Sequence, residues 1–452
     1  MAVFSRKSLA LAVSTMFASI AALTPASGQS LIRDAEIEET IRIYSEPIFA
    51  AAGLVPSNVE TYIINDPSLN AFVAGGQRVF IHTGLITELD RPAQLIGVIA
   101  HETGHISGGH LSRTQEALAG ATLPIIIGTL LGAAAIAAGS PDAGIAGIQL
   151  GQHVAQRSVL SYSRTQESAA DQAAVKFLDQ TGQSSKGLLE TFDRFSDQEV
   201  LSGRNQDPYV RSHPLSRERI GALENLVNNS RFSNVPDKPD HVERFNMMKA
   251  KIIGFLGKPL TTFRRYPESD QSIHARYARA LAYYRIPEIE KALGAFDELV
   301  AEQPDNPYFH EIKGQVLLEF GRPRDAIPSY REAVKLAPHQ PLLRVGLSQA
   351  IIATEDLSLN KEAMDQLLKS LRDDPENTFA WHNLAIAYHR DGQDGMADYA
   401  TAERHYRANN LGQAQVHAAR AIKVLKQGTP AWNRTLDIQQ SIQQTQKKKK
   451  RS

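Results

Sequence analysis

Residues 101–105, HETGH, place two histidines and a glutamate inside an apolar run, with Leu95-Ile96-Gly97-Val98-Ile99-Ala100 before them and Ile106 after. Ionisable side chains in such a run need partners once the segment is buried. Asp90 followed by Pro92 predicts a helix start, an N-cap and then a first-turn proline. On a helix, positions i and i+4 share one face, one turn apart. His101 and His105 can then offer imidazole nitrogens to one metal ion, with Glu102 close to the ion but not bound to it. This is the H-E-x-x-H arrangement of zinc hydrolases, in which one helical turn supplies two ligands and a general base. The motif specifies only three identities, so the rest of the chain must supply its context.

A chain of 452 residues suggests two or three domains. Its formal charge of zero offers no bulk field to nucleic acid, and no nucleic-acid partner is expected. The absence of cysteine excludes disulfides, a Cys-ligated zinc, a Cys nucleophile and a lipidated N-terminal cysteine. Arg6 and Lys7 precede an apolar run from Leu9 to Leu23, and small residues follow at 24–28. That order is the order of a secretory signal peptide, and the run is too short for a comfortable membrane span. Residues 1–28 are therefore set apart from the fold, and the mature protein is expected outside the cytoplasm; an uncleaved anchor is the alternative.

Residues 31–52 have helical spacing, with Ile37, Ile41 and Tyr44 on one side, and Gly53 and a turn at Pro56 end the helix. Val59–Ile64 alternates as a strand. Asn70–Ala74 and Arg78–His82 flank Gly75-Gly76 and predict a hairpin. An open edge strand beside the HETGH helix could hold an extended peptide by main-chain hydrogen bonds; a purely structural hairpin is the other reading. Ala117–Gly139 is free of charge but carries Pro124 and several glycines. It predicts a helical hairpin or mobile cover over the site, with peripheral membrane or client contact through residues 120–139 rather than a true span. Residues 155–181 read as a helix containing Glu167-Ser168-Ala169-Ala170-Asp171, and Phe192 and Phe195 mark another. A polar loop over 202–211 leads to Ser212-His213-Pro214, a helix follows over 215–227, and Ser230–Asp240 reads as a linker.

Beyond the linker the chain repeats. Pro304 and Pro338 stand 34 residues apart, the tetratricopeptide period. Gly314, Ala326, Tyr330 and Ala333 fall where that repeat places small or aromatic residues. Ala292 and Phe296 mark a looser copy before it. Trp381, Leu384, Ala385 and Tyr388 open another, and Gly412, Ala414, Ala418 and Ala421 close an irregular last one. Several copies in register predict a solenoid. The Lys447–Arg451 run is expected to be a solvated basic tail.

A catalytic zinc site takes a third protein ligand and keeps a position for water. Glu167 is a candidate, with Asp171 one turn away on the same face. Asp171 could orient a ligating histidine or assist proton transfer; by spacing alone, Glu167 could equally be a surface glutamate. HETGH followed by ESAAD on a later helix resembles the HExxH…ExxxD pattern of the HtpX/Ste24-like zinc metallopeptidases. LNAFVAGGQRVFIHTGLI resembles that family's hairpin, and SHPLSRERI its His-Pro…Arg segment. The resemblance covers roughly residues 35–225.

It implies one zinc ion per chain, ligated by His101, His105 and Glu167, with Glu102 as base and Asp171 as proton donor. It implies an α+β zincin-type metallopeptidase domain over 29–230, mostly helical with a small hairpin or sheet. A linker over 231–240, an all-α tetratricopeptide-repeat solenoid over 241–445 and a tail over 446–452 complete the chain. The family's several transmembrane helices are missing, which points to a soluble branch. With the leader and repeats, the expectation is a periplasmic zinc endopeptidase cleaving envelope proteins in quality control of outer-membrane protein assembly. The repeats would recruit a client or the assembly machinery. The alternative is a repeat-based chaperone or scaffold with a latent or structural zinc. His213 stays open between a histidine on the surface or behind the ligands and a fourth ligand that latches the site.

Overall fold

The structure, a computed structural model, describes residues 31–110, 164–196 and 208–449. The expected leader, the 120–139 segment, most of the 202–211 loop and the last three tail residues lie outside them.

A four-stranded sheet stands in the N-terminal half. Its strands are β1 (Leu31–Ile32), β2 (Glu60–Ile64), β3 (Ala71–Ala74) and β4 (Arg78–His82), in the order β1-β2-β4-β3. β2 and β4 run parallel; the other neighbours are antiparallel. The expected hairpin is β3–β4, turned by Gly75 and Gly76 at φ +59° and +101°. That left-handed backbone favours glycine. Phe80 stacks between Phe72 and Tyr62, at 5.1 and 5.2 Å between ring centres. β1 is too short for any period to reveal it in the sequence.

Helix α1 (Ala35–Ala51) begins at Asp34, whose side chain accepts from the Ile37 N–H, and it buries Ile37, Ile41 and Tyr44 as expected. After α2 (Thr83–Glu88), α3 (Pro92–Ser107) carries the HETGH motif and is buried from Pro92 to His105. Its cap differs from expectation. Arg91, not Asp90, is the N-cap residue. Gln94 reaches back, and its Oε1 accepts from the Asp90 and Arg91 N–H groups at 2.7 and 3.4 Å. The Asp90 carboxylate pairs instead with Arg194 at 2.9 Å.

Two helices lie directly on α3: α4 over 164–180 and α5 (Lys186–Ser196). Glycine permits both approaches. A Cβ on Gly104 would stand 2.8 Å from the Ala170 carbonyl oxygen, and one on Gly97 2.8 Å from the Leu188 nitrogen. The glycine within HETGH thus lets α4 reach the motif. Short α6 (Pro208–Ser212) and then α7 (Arg217–Asn229) close the layer.

Helix α8 (Pro239–Leu256) joins the two halves by packing into both. Phe245, Met248 and Ile252 belong to the N-terminal core; Met247, Ala250 and Ile253 belong to the repeat core. The segment before it, expected as a linker, is fastened down. Ser184 Oγ donates to the Ser233 carbonyl at 2.6 Å, and Asp237 pairs with Arg91 at 2.9 Å.

Antiparallel helix pairs follow. They include Ile273–Arg285 with Ile289–Glu302, α9 (Pro307–Glu319) with α10 (Pro323–Leu336), and Pro341–Ala353 with Asn360–Asp373. Thr378–Arg390 with Asp394–Arg407, and Leu411–Val424 with the closing helix Pro430–Lys449, complete the series. Ala292, Phe296, Ala326, Ala333, Leu384, Ala414, Ala418 and Ala421 are buried, as the repeat pattern predicts. The Tyr330 ring fills the space left by two glycines: a Cβ on Gly314 or Gly346 would fall 2.8 or 2.4 Å from it. The closing helix extends to Lys449, so the basic run begins inside it. Among the described residues no helix is long and apolar enough to cross a membrane.

The halves also meet at a buried charge. Lys251 of α8 is 1% exposed, and its Nζ lies 2.8 Å from Asp34, 3.3 Å from Glu36 and 3.2 Å from Glu311 of α9. Tyr277 donates to Glu36 at 3.0 Å. Burial, opposed by Lys251, lifts the Glu311 carboxyl to about 7. Removing one partner of a buried ion cluster costs about 3–5 kcal/mol, because the remaining charges stay buried and unpaired. Lys251→Met is therefore expected to lower the stability of the whole chain by that order in denaturant titration. An unchanged midpoint would show that the cluster does not hold the halves together.

Candidate metal centre

His101 and His105 project from one face of α3, and Glu102 lies beside them in the same buried turn. From α4 come Glu167 and Asp171, four residues apart on the face that meets α3. From the end of α6 comes His213, 6% exposed, whose N–H donates to the Tyr209 carbonyl at 2.8 Å. The structure brings all six residues singled out from the sequence into one buried cluster.

Four of them bring ligand atoms to a common centre. His101 Nε2 lies 3.1 Å from His105 Nε2 and 3.3 Å from His213 Nδ1. Glu167 oxygens lie 3.4 Å from each of the first two nitrogens and 3.1 Å from His213 Nδ1. Ligand atoms of His101, His105, Glu167 and His213 all fall within 4.8 Å of one another. Tetrahedral zinc, with bonds of roughly 2.0–2.1 Å, spaces its donors about 3.3–3.4 Å apart. Three imidazoles and a carboxylate converging at this spacing match the donor separation of a tetrahedral ion, so the donor set fits a metal ion.

The electrostatics agree with a site built to receive positive charge. Burial opposes charge on His101, but the Asp171 and Glu167 carboxylates outweigh it and raise the imidazole to about 9. Burial and the neighbouring His101 push His105 down to about 2. Burial alone would raise Glu167, yet His213 and His101 hold it well below the usual carboxylate range. Glu102 is fully buried, burial raises its carboxyl, and neither oxygen has a hydrogen-bond partner. Its Oε1 is 3.4 Å from His213 Nε2.

Behind the donors stands a residue that sequence reasoning did not number. Arg219, 6% exposed, binds Asp171 through Nε at 2.6 Å and Nη2 at 2.8 Å. Its Nη1 donates to the Pro214 carbonyl at 3.0 Å and lies 2.9 Å from Glu167. One guanidinium thus anchors the acid behind His101, the Glu167 carboxylate and the turn that carries His213. Asp171 in turn lies 2.9 Å from His101 Nδ1. Burial works against ionisation of Asp171, but Arg219 and His101 hold the carboxyl below its ordinary value. The segment SHPLSRERI contained this arginine, but neighbouring Arg217 is exposed, and nothing local separates the two. Two further residues were missed as participants. The fully buried Tyr209 ring lies 4.8 Å from that of His213, and His110 lies against His105. His82, also near the motif in sequence, instead bonds Ser68 at 2.9 Å; His153 lies outside the described residues.

Comparison with known proteins bears on the family. Residues 32–227 match the model of peptidase family M48. Tetratricopeptide-repeat models match residues 268–307, 277–341, 312–377 and 367–403. The chain is 24% identical over 396 residues to the beta-barrel assembly-enhancing protease of Yersinia pestis, across 85% of this chain and 79% of that protein. It is 25% identical over 391 residues to the protein of the same name from Escherichia coli K12, across 85% and 78%. A protease HtpX homolog of Acidiphilium cryptum is 33% identical over 206 residues, across 39% of this chain and 70% of that protein. With a buried three-histidine, one-glutamate donor set gathered around its HETGH helix and helical repeats behind it, the chain belongs to peptidase family M48 and is a metallopeptidase with C-terminal tetratricopeptide repeats.

Proposed function

We propose that this metallopeptidase is a periplasmic zinc endopeptidase that cleaves envelope proteins, in the quality control of outer-membrane protein assembly. The observation that carries the chemistry is the 3.1–3.4 Å spacing of donors from His101, His105, Glu167 and His213. Three nitrogens and a carboxylate oxygen at that spacing favour zinc. Bound zinc supplies Lewis acidity, bringing the ionisation of water to about pH 7 and polarising a scissile carbonyl. Glu102 is the base that takes the water proton and returns it to the leaving amine. Asp171, with both oxygens engaged by Arg219 and one facing His101, keeps the His101 ring in one orientation rather than carrying the proton itself.

Edge strand β3 lies beside α3 with one side unpaired among the described residues, and there an extended substrate can add main-chain hydrogen bonds. The names of the relatives and the leader-like residues 1–28 support the compartment. A groove of about 990 Å³ separates β1 and β2 from the repeats, lined by Leu31, Tyr62, Tyr330, Leu342 and Phe379. The repeats would present a client or an assembly partner there. Peripheral membrane contact through residues 120–139 remains part of the proposal.

One observation favours a second reading. His213 brings a fourth protein donor, and closed four-donor sites are the structural kind. We read this closure as the latch: His213 occupies the position water needs, and the site opens when His213 leaves it.

Three tests follow from this reading. His101→Ala, His105→Ala and Glu167→Ala should each lose metal, measured by metal content after dialysis; a variant that keeps it removes that residue from the ligand set. Glu102→Gln should keep metal and fold while peptide cleavage drops by about 10²–10⁴-fold, and near-normal turnover would take Glu102 out of the reaction. His213→Ala should keep metal and cleave peptides and itself faster than the parent chain. Slower cleavage in that variant would make His213 a substrate contact and end the latch.

A further inference from the structure

We propose that His110 is the positioning residue for His105, as Asp171 is for His101. The inference rests on the reading of His105 as a metal ligand through Nε2. That atom sits among the donors, 3.1 Å from His101 Nε2 and 3.4 Å from Glu167. Its lone pair is therefore committed to the metal, and the ring proton must reside on Nδ1. His105 Nδ1 lies 2.9 Å from His110 Nδ1. One proton serves this contact: His105 donates, His110 accepts, and the proton of His110 itself stands on Nε2. The rings meet edge to face, 5.0 Å between centres at 78°.

The sequence builds this contact with two glycines. Helix α3 ends at Ser107, and Gly108 closes it with an N–H donated to the Gly104 carbonyl at 2.9 Å. A Cβ on Gly108 would lie 2.4 Å from His110 Nε2, so a larger residue there would displace the ring. Gly109 at φ +63° then reverses the chain, a conformation that favours glycine. Together they fold His110 back over the last turn of α3, where it is 6% exposed. Gln166 Nε2 donates to the His110 carbonyl at 3.1 Å, so the helix that supplies Glu167 also holds the His110 main chain.

The two ligating histidines are thus held by different chemistry. His101 faces an anionic acceptor pinned by Arg219; His105 faces a neutral imidazole. A hydrogen bond to the far nitrogen of a ligating histidine sets its tautomer and orientation, and losing such a partner typically weakens metal binding about 10–100-fold.

Three variants and one spectrum test this. His110→Ala removes the acceptor. His110→Phe keeps a ring of similar size without it. His110→Asn can place its carbonyl oxygen where Nδ1 stood. Zinc affinity, measured by competition with a chromophoric chelator, should fall about 10–100-fold in the alanine and phenylalanine variants and recover to near the parent value in the asparagine variant. A residue that only packs the helix end would give the opposite order, with phenylalanine the milder change. Nitrogen-15 NMR of the metal-loaded parent chain should show His105 protonated on Nδ1 and His110 on Nε2, a readout that does not depend on any variant folding. Unchanged affinity in the phenylalanine variant, no rescue by asparagine, or a proton on His110 Nδ1 would each overturn the proposal. His105→Ala in the same titration separates the two layers: if it binds zinc normally, the ligand reading fails first.

Discussion

Placing two histidines and a glutamate on the buried face of an apolar helix is the constraint on which this structure turns. Each such group costs free energy in a low-dielectric interior unless it is matched. The fold matches them in layers. Glu167 and the imidazole nitrogens converge at metal-ligand spacing, Asp171 stands behind His101, and Arg219 balances both acids. Gly104 is part of the same solution, because only a residue without a side chain lets α4 approach closely enough to deliver its acids.

The second organising contact joins the halves. Helix α8 contributes apolar side chains to both cores, and Lys251 on it gathers acids from the start of α1 and from the repeats. Further contacts reinforce that seam. Gln340 donates to Glu39 at 2.5 Å, and Arg33 pairs with Asp374 at 2.7 Å. The repeats therefore lie against the metallopeptidase half, and the groove they form with the sheet is built from both. This arrangement places the repeats and the metal-ligand cluster on one framework.

Much of this was legible locally. The i, i+4 spacing of His101 and His105, the Gly75-Gly76 hairpin and the 34-residue period each express a backbone periodicity, and periodicity survives in a linear string. So does the face of α4 that pairs Glu167 with Asp171. The helix cap was misplaced by one residue because the Asp90 carboxylate turns to Arg194 while Gln94 closes over the Asp90 and Arg91 N–H groups, and only the geometry of the turn decides this. The linker read from polar residues and prolines is instead fastened to α3 and α5, since composition does not report what a short segment lies against.

The sequence by itself determined the kinds of chemistry available: a two-histidine helix with its glutamate, a later acid pair, a His-Pro turn and a set of stacking repeats. It did so because each is written in neighbours along the chain. The tertiary structure decided which of these meet. Arg219 rather than Arg217 reaches the acids, His213 completes the donor set, and His110 folds back onto His105. Those contacts span from 5 to 112 positions in sequence, and their selection depends on helix packing and on glycines that permit close approach. No local pattern carries that information.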